Sequence, residues 1–231
     1  MALLRVIDIE TTGWAPPAEI IEVGRVDLVG TQDGWEIGQR AAALYRPLGG
    51  ITPETMAVHH ITEEMVADAA VCSPINLQIV LMQGSEPDVF VAHNCAFERG
   101  FIVDAATGGR PWICTQKCAL RVWPEAAGHS NQVLRYWLDL SLDVEQAMPP
   151  HRALPDAYVT AHILQRLLAE ASVEQLIAWT AEPKLLPRIP FGKHKNARWG
   201  DIPSDYLSWM IRQADMDADV AWCAQQELAR R

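Results

Sequence analysis

The order of the apolar segments constrains the fold more than any other feature of this sequence. Three β-type segments, at residues 3–9, 20–29 and 41–45, are separated by short stretches containing Gly, Pro, Asp and Gln. Short connections of this kind favour an antiparallel meander. Further strands are expected at 88–92 and 112–114, alternating with helices. This order predicts an α/β fold with a mixed sheet covered by helices on both faces.

The helical patterns follow the same order. A helical section at residues 53–82 is expected to break at 59–62 and again at Ser73-Pro74. The segment 153–171 has the clearest apolar stripe. Asn94 is expected to cap the helix that follows the fourth strand. The other predicted helices cover residues 115–122 and 131–138.

The overall composition is that of a folded protein with an acidic surface. The chain has 231 residues, of which 49% are hydrophobic, and a net charge of −10. This composition excludes disorder. The acidic balance argues against a protein that coats nucleic acid, but not against an enzyme that holds a few nucleotides. We expect no membrane span, no leader and a cytoplasmic location. The five cysteines lack a disulfide or zinc-site spacing and are expected to be free thiols.

A change of composition marks a C-terminal segment. Residues 183–200 carry five basic residues and no acid, whereas aspartates follow. We therefore predict a main domain at 1–180 and an appendage at 181–231. Trp199 and Trp209 flank or follow the basic segment, so the appendage is expected either to contact the nucleic-acid backbone or to form a solvated hairpin.

Two carboxylates stand at the end of the first strand, in the stretch VIDIETTG. Asp8 and Glu10 are two positions apart, so both side chains point to the same side of the strand and repel each other. A bound cation would relieve this repulsion. The alternative is an ordinary solvated strand end, and this stretch alone does not decide between the two.

Two further polar clusters lie at the ends of predicted elements. HNCAFE places Glu98 in the first turn of a helix, and HRALPD places His151 in a loop before Asp156, itself in the first turn of the next helix. An α/β sheet could bring these groups together with the first pair. Clustered carboxylates favour two hard cations, Mg²⁺ or Mn²⁺, which can hold an attacking water and a leaving oxygen in line. The sequence therefore predicts a phosphoryl-transfer site.

The ordered set D-x-E-T-x-G, H-N-x-x-F-acid and H-x4-D resembles the three motifs of the DEDDh group of DnaQ-like 3′→5′ exonucleases. Further segments, such as VAHNCAFERG and the tail FGKHKNARWGDIPSDYL, resemble the exonuclease X branch of that family. The resemblance implies an RNase H-like sheet of five strands with a small C-terminal appendage. It also implies a metal-dependent exonuclease that releases nucleoside 5′-monophosphates from DNA 3′ ends, single-stranded ends being the expected substrate.

The resemblance also implies residue roles. Asp8 would bridge both metals, and Glu10 and Asp156 would complete the site that activates water. Glu98 would serve the second metal, and His151 would be the general base, since a histidine titrates near neutrality. The family has Asp where this chain has Glu98, whose arm is one methylene longer.

The same resemblance implies contacts with the terminal nucleotide. The residues concerned are Thr11, Thr12, His59, Ile61 and Asn94.

Two other functions stay open at this point, and a third, a proofreading subunit docked on a polymerase, is disfavoured by the C-terminal tail. One is a family member that degrades RNA ends or oligoribonucleotides, because a 2′-hydroxyl is sensed by fine details of the binding site. The other is a non-catalytic protein that binds nucleic-acid ends, suggested only by Glu98. The sequence assigns no oligomeric state.

Overall fold

A five-stranded mixed sheet forms the centre of the fold. The computed structural model describes residues 2–231. Its strands are β1 (Leu3–Thr11), β2 (Ile20–Gly30), β3 (Trp35–Leu44), β4 (Val89–Ala92) and β5 (Trp112–Cys114). They lie in the order β3-β2-β1-β4-β5; β1, β2 and β3 are antiparallel, whereas β4 pairs in parallel with β1 and with β5. The predicted meander and the α/β class are confirmed.

Strand β3 is longer than the sequence pattern predicts. It begins at Trp35 rather than at residue 41. The added part carries exposed residues, among them Glu36, Gln39 and Arg40. Because β3 is an edge strand, polar side chains there are stable and discourage pairing with other chains. A search for apolar runs misses such a strand.

Helices cover both faces of the sheet and form the C-terminal segment. They are α1 (Pro53–His59), α2 (Glu63–Val66), α3 (Pro74–Met82), α4 (Glu98–Phe101), α5 (Asp104–Thr107), α6 (Thr115–Val122), α7 (Asn131–Trp137), α8 (Ala153–Leu168), α9 (Val173–Ala181), α10 (Ser204–Ile211) and α11 (Ala218–Ala229). Helix α8 ends three residues before the predicted position, and Ser172 caps α9, which the sequence pattern does not predict. Within residues 2–231, none of the helices combines the length and apolar character needed to cross a bilayer.

The two faces of β1 belong to two hydrophobic clusters. Val6 packs in the cluster that contains Ala157 and Leu164 of α8. Ile7, the next residue, packs in the cluster on the opposite face, which contains Leu81 of α3. Alternate residues of a strand point to opposite faces, so β1 is a central strand buried on both sides. Its carboxyl end, with Asp8 and Glu10, therefore emerges between the covering helices.

The C-terminal segment has a hydrophobic cluster of its own, which includes Leu207 of α10 and Val220 of α11. Trp199 belongs to this cluster: it is 9% exposed, and its indole Nε1 donates a hydrogen bond of 2.6 Å to the Leu186 carbonyl. Trp199 is thus a core residue and cannot stack on a base, which corrects the expectation above. Trp209 keeps 42% of its surface exposed. The segment is helical, so the expected hairpin is also corrected.

Helix α6 joins this segment to the sheet. The Lys117 ammonium donates to the Thr180 and Glu182 carbonyls, at 2.9 and 2.6 Å. Arg121 pairs with the Glu182 carboxylate at 2.7 Å and lies over the Trp222 ring. The chain between α9 and α10 is thereby held against α6, close to the carboxyl ends of β4 and β5.

Candidate active site

Three carboxylates from two elements meet at the end of β1. Asp8 and Glu10 come from β1, and Asp156 comes from the first turn of α8. One oxygen of each lies within 4.8 Å of the others. Side chains separated by about 150 residues are thus brought to one point. Their oxygens are close enough to bind one divalent cation together.

The start of α8 is positioned by β2. Gly24 is paired with Asp8 across the sheet, and a β-carbon at Gly24 would lie closer than 3.0 Å to the backbone of Ala153 and Leu154. Only a residue without a side chain lets the helix approach this closely. Glu22, two residues earlier on β2, accepts hydrogen bonds from the Arg152 guanidinium at 2.9 and 2.6 Å and from the Ala153 N–H at 2.9 Å.

Both oxygens of Asp156 are also held. Oδ2 accepts from the backbone N–H of His151 at 2.9 Å, and Oδ1 accepts from the Gln132 amide at 3.0 Å. Asn131 links α7 to α8 by donating to the Asp156 carbonyl and to the Thr160 hydroxyl. Sequence reasoning did not single out Gln132. The available signal was a pair of polar residues opening a helix, which is too common to indicate a carboxylate contact.

Glu98 lies in the same cleft but outside the group of three. It is the first residue of α4 and is 2% exposed. Its Oε2 is buried and has no hydrogen-bond partner among residues 2–231. Asn94 does not cap this helix, because Phe97 occupies the N-cap position and no side chain closes that end. Asn94 instead adopts a left-handed conformation with φ 66°. The chain turns there, and the helix begins three residues later than the capping signal predicts.

The burial and close approach of these carboxylates disfavour their charged forms. Burial, together with the nearby charge of Asp156, raises the pKa of Glu10 to about 8. Burial likewise raises the pKa of Glu98 to about 8. The pKa of Asp8 is well above its usual range because of burial and the charge of Asp156, and burial raises that of Asp156. Buried oxygens that repel one another, with one left unpartnered, fit a hard divalent cation.

These pKa values predict how stability varies with pH when metal is removed. A carboxyl with a folded pKa near 8 and an unfolded pKa near 4.5 binds more protons in the folded protein between these values. The free energy of unfolding therefore falls as pH rises through this window. In a chelating buffer we expect the melting temperature to drop by several degrees from pH 5.5 to 8.5, since about 1 kcal/mol corresponds to about 2–4 °C at this size.

Thermal denaturation followed by circular dichroism would measure this drop. Glu10→Gln should flatten the profile, and saturating Mg²⁺ or Mn²⁺ should raise the melting temperature most at high pH. A melting temperature that rises with pH in chelator would contradict the assignment.

His151 stands at the rim of the cleft. It is exposed and adopts a left-handed backbone conformation, with φ 59°. The hydrogen bond from its N–H to Asp156 ties this turn to the carboxylate group, while its imidazole lines the cleft. His151 is thus held next to Asp156 and is accessible to solvent.

The residues expected to contact the terminal nucleotide fall into two sets. Thr11, His59 and Asn94 line the cleft. Thr12 does not line it, and its hydroxyl accepts from the Glu19 N–H at 2.9 Å. Ile61 is fully buried and packs with Ile21, Ile51 and Val66. The structure therefore places the side chain of Ile61 in the core, which corrects the expectation of a contact with the nucleotide.

The ring orientation of His59 is fixed. Its Nδ1 accepts a hydrogen bond of 3.0 Å from the Ile61 N–H, so the proton of the neutral ring lies on Nε2. Nε2 is buried and has no partner, and burial lowers the pKa of the imidazole. His59 is thus a neutral donor facing the cleft.

Trp14 also lines the cleft and was not singled out from the sequence. It is 91% exposed, and its ring meets Phe97 edge to face at 6.3 Å. The cleft holds about 440 Å³. An aromatic ring at the mouth of a cavity of this size suits a base with its sugar and phosphate.

Known proteins share this architecture. The family model described as Exonuclease matches residues 6–164. Exodeoxyribonuclease 10 of Escherichia coli (strain K12) is 34% identical over 218 residues, 92% of this chain and 92% of that protein. The solved structure of exonuclease X in complex with 5′ overhanging duplex DNA is 35% identical, has a TM-score of 0.62, and covers 77% of this chain and 99% of its own.

A more distant structure shows the fold alone. The nuclease domain of 3′hExo, a DEDDh family member bound to rAMP, has a TM-score of 0.59 at 19% identity, over 73% of this chain and 92% of its own. The family match spans all three acidic motifs, from Asp8 to Asp156. The chain belongs to the exonuclease family, in its DnaQ-like group of 3′→5′ exonucleases.

Proposed function

We propose that this protein hydrolyses phosphodiester bonds at DNA 3′ ends and releases nucleoside 5′-monophosphates, one at a time. The observation that carries the proposal is the convergence of Asp8, Glu10 and Asp156 in a cleft that also contains the unpartnered oxygen of Glu98. DNA is favoured because the 34% identical relative is an exodeoxyribonuclease. Single-stranded ends are the proposed form, and the oligomeric state is left unassigned.

The carboxylates would hold two ions of Mg²⁺ or Mn²⁺. Asp8 would contact both, Glu10 and Asp156 would complete one site, and Glu98 would serve the other. When bound, such cations neutralise the charge of the phosphate and lower the pKa of water. All-oxygen ligands and mutual repulsion support this assignment.

The other residues bind the strand and move the proton. An imidazole nitrogen of His151 would take the proton from the attacking water, and the new bond to phosphorus would replace the bond to the 3′ oxygen of the preceding nucleotide. The Asp156 contact to the His151 N–H would keep that ring at the reacting phosphate. His59 Nε2–H would donate to the terminal nucleotide, and Trp14 would stack on a base. Thr11 and Asn94 would add polar contacts.

Two coarser assignments complete the proposal. Residues 1–180 would form the exonuclease domain and residues 181–231 a C-terminal appendage, which the separate hydrophobic cluster around Leu207 and Val220 supports. We also propose a cytoplasmic location for the protein.

The direct test is a gel assay with a 5′-labelled single-stranded DNA oligomer and a matched RNA, first with Mg²⁺ and then with Mn²⁺. We expect a ladder that shortens from the 3′ end on DNA and is abolished by chelation. Faster shortening of the RNA would replace DNA by RNA as the substrate. No shortening of either, with both ions, would overturn the proposal.

Glu98 separates an active enzyme from a protein that only binds ends. If the site is built for the longer arm, Glu98→Asp withdraws the carboxylate by roughly 1 Å, and turnover should fall by about tenfold to a hundredfold. Glu98→Gln, which removes the charge but keeps the size, should cost more. The measurement is kcat on the labelled oligomer with each metal. An inactive natural chain that gains activity with Glu98→Asp would instead identify a degenerate site.

A further inference from the structure

We propose that Lys184, supplied by the C-terminal appendage, binds a phosphate of the substrate strand other than the one being cleaved. This inference rests on the proposed function. It concerns a residue outside the three acidic motifs and outside the 6–164 family match. It also gives the appendage a part in the nuclease reaction, through one side chain that is hydrogen-bonded to a residue of the cleft lining.

Lys184 reaches the cleft through Asn94. Its Nζ donates a hydrogen bond of 3.3 Å to Asn94 Oδ1, and Asn94 lines the cleft. Within residues 2–231, no other lysine or arginine side chain hydrogen-bonds to a side chain of the cleft lining. The remaining charges of that lining are acidic, including Glu54 in addition to the four carboxylates. A polyanionic strand that approaches this cleft is therefore attracted by the positive charge of Lys184.

The ammonium of Lys184 has no carboxylate partner. Among the described residues, none of the Asp or Glu side chains forms an ion pair with it, although the chain has 29 acids against 19 lysines and arginines. The side chain is half-buried, and a partly desolvated charge is stabilised by a counter-ion. Two of its three N–H donors remain after the bond to Asn94. A phosphate oxygen would supply both the charge and the acceptors.

The main chain at Lys184 is held in place by α11. Its N–H donates to Asp219 Oδ1 at 2.8 Å, and its carbonyl accepts from the Cys223 thiol at 3.3 Å. Two residues earlier, the Glu182 carbonyl is bound by Lys117 of α6. The main chain from which the Lys184 side chain extends is therefore held by packing between the appendage and α6, and the hydrogen bond to Asn94 directs the ammonium toward the cleft.

Lys184 stands apart from the group that would hold metal. It is not in ion-pair contact with Asp8, Glu10, Glu98 or Asp156. Other groups would thus contact the phosphate bound at the metals. Lys184 would bind a neighbouring phosphate of the same strand. A phosphate contact of this kind positions the strand and strengthens binding without taking part in bond cleavage.

The test compares Lys184→Gln with Lys193→Gln. Gln keeps a donor for Asn94 but removes the charge. Lys193 is an exposed lysine of the same appendage, and its side chain has no hydrogen bond or ion pair within residues 2–231. For Lys184→Gln we expect KM on a single-stranded DNA oligomer to rise about fivefold to tenfold, with kcat within about twofold. Lys184→Arg should restore KM. The Lys193→Gln control should match the natural chain.

Two further readouts exclude a merely structural effect. The p-nitrophenyl ester of thymidine 5′-monophosphate has one phosphate, so its hydrolysis should be the same in all variants. In Ca²⁺, the slope of log Kd against log salt for the oligomer should fall by about 0.7 for Lys184→Gln, the value for one lost contact on a single strand.

Equal KM and salt slope for the two Gln variants would overturn the inference, as would equal losses on the ester or a failure of Arg to restore KM. If the natural chain hydrolyses neither substrate, the proposed function fails. The salt slope then still decides whether Lys184 binds a phosphate.

Discussion

Replacing Asp8 by Asn is expected to reduce exonuclease turnover by at least about a thousandfold and, at the same time, to raise the melting temperature of the metal-free protein. Asp8 is the carboxylate that faces both Asp156 and Glu98, and its pKa is raised by burial and by both neighbours. Loss of its charge removes the proposed ligand shared by two cations, each of which contributes several kcal/mol to the transition state. About 1.4 kcal/mol corresponds to tenfold, so the loss exceeds a thousandfold.

The gain in stability follows from the same repulsion. Asn has nearly the shape of Asp but no charge, so the buried cluster loses one of its repelling members. Turnover on the labelled oligomer and the melting temperature in chelator test the two effects together. The matched control is Asp68→Asn, since Asp68 is exposed and lies outside the cleft. Reduced activity with an unchanged or lower melting temperature would show that the carboxylates are not in conflict.

Gly24→Ala is the second change with a large expected effect. The new β-carbon would collide with the backbone of Ala153 and Leu154, which no rotamer can relieve. Overpacking of this kind costs about 1–3 kcal/mol of stability. The start of α8 must move away from β2 and take Asp156 with it. A shift of about 1 Å at a reacting group can cost a hundredfold in rate, and we expect a loss of at least that size.

Gly30→Ala is the control on the same strand, because its β-carbon would meet the Trp35 ring at an ordinary 3.4 Å. It should leave turnover within about twofold and the melting temperature within about 2 °C. The measurements are kcat and thermal denaturation in saturating metal. Full activity of Gly24→Ala would mean that α8 does not need its close approach to the sheet in order to place Asp156.

Much of the fold could be predicted because its inner elements carry strong local signals. The boundaries of β5 and α6 follow from short apolar runs and helical periodicity, and both elements are observed where predicted. The first part of the edge strand β3 and the start of α4 are not where the sequence pattern predicts. The conformation of these residues is determined by contacts with neighbouring elements rather than by local sequence preference. Asn94 has the chemistry of a helix cap, but its side chain is bonded to Lys184 instead.

The candidate site divides in the same way. Asp8, Glu10, Glu98 and Asp156 each stand in a recognisable motif at the end of an element, so the sequence indicated them before the structure placed them in one cleft. Their roles remain predictions. Lys184 was indicated only as one of five basic residues in 183–200, and Gln132 was missed. Each is positioned by a helix remote in sequence, α11 for Lys184 and α8 for Gln132. The motif led to an expected nucleotide contact for Ile61, whose side chain lies in the core. A motif does not distinguish a core residue from a contact residue.

If the carboxylates at the end of β1 bind divalent cations as proposed, the amount of this protein in a cell would depend on the supply of those cations. A ligand that binds only the folded state stabilises it by RT ln(1 + [L]/Kd), so the unfolded fraction falls as free cation rises. Proteases remove that fraction. Cation scarcity would therefore lower the abundance of the nuclease through degradation. An inactive variant that lacks one of these carboxylates would remain abundant at cation concentrations at which the active protein is degraded.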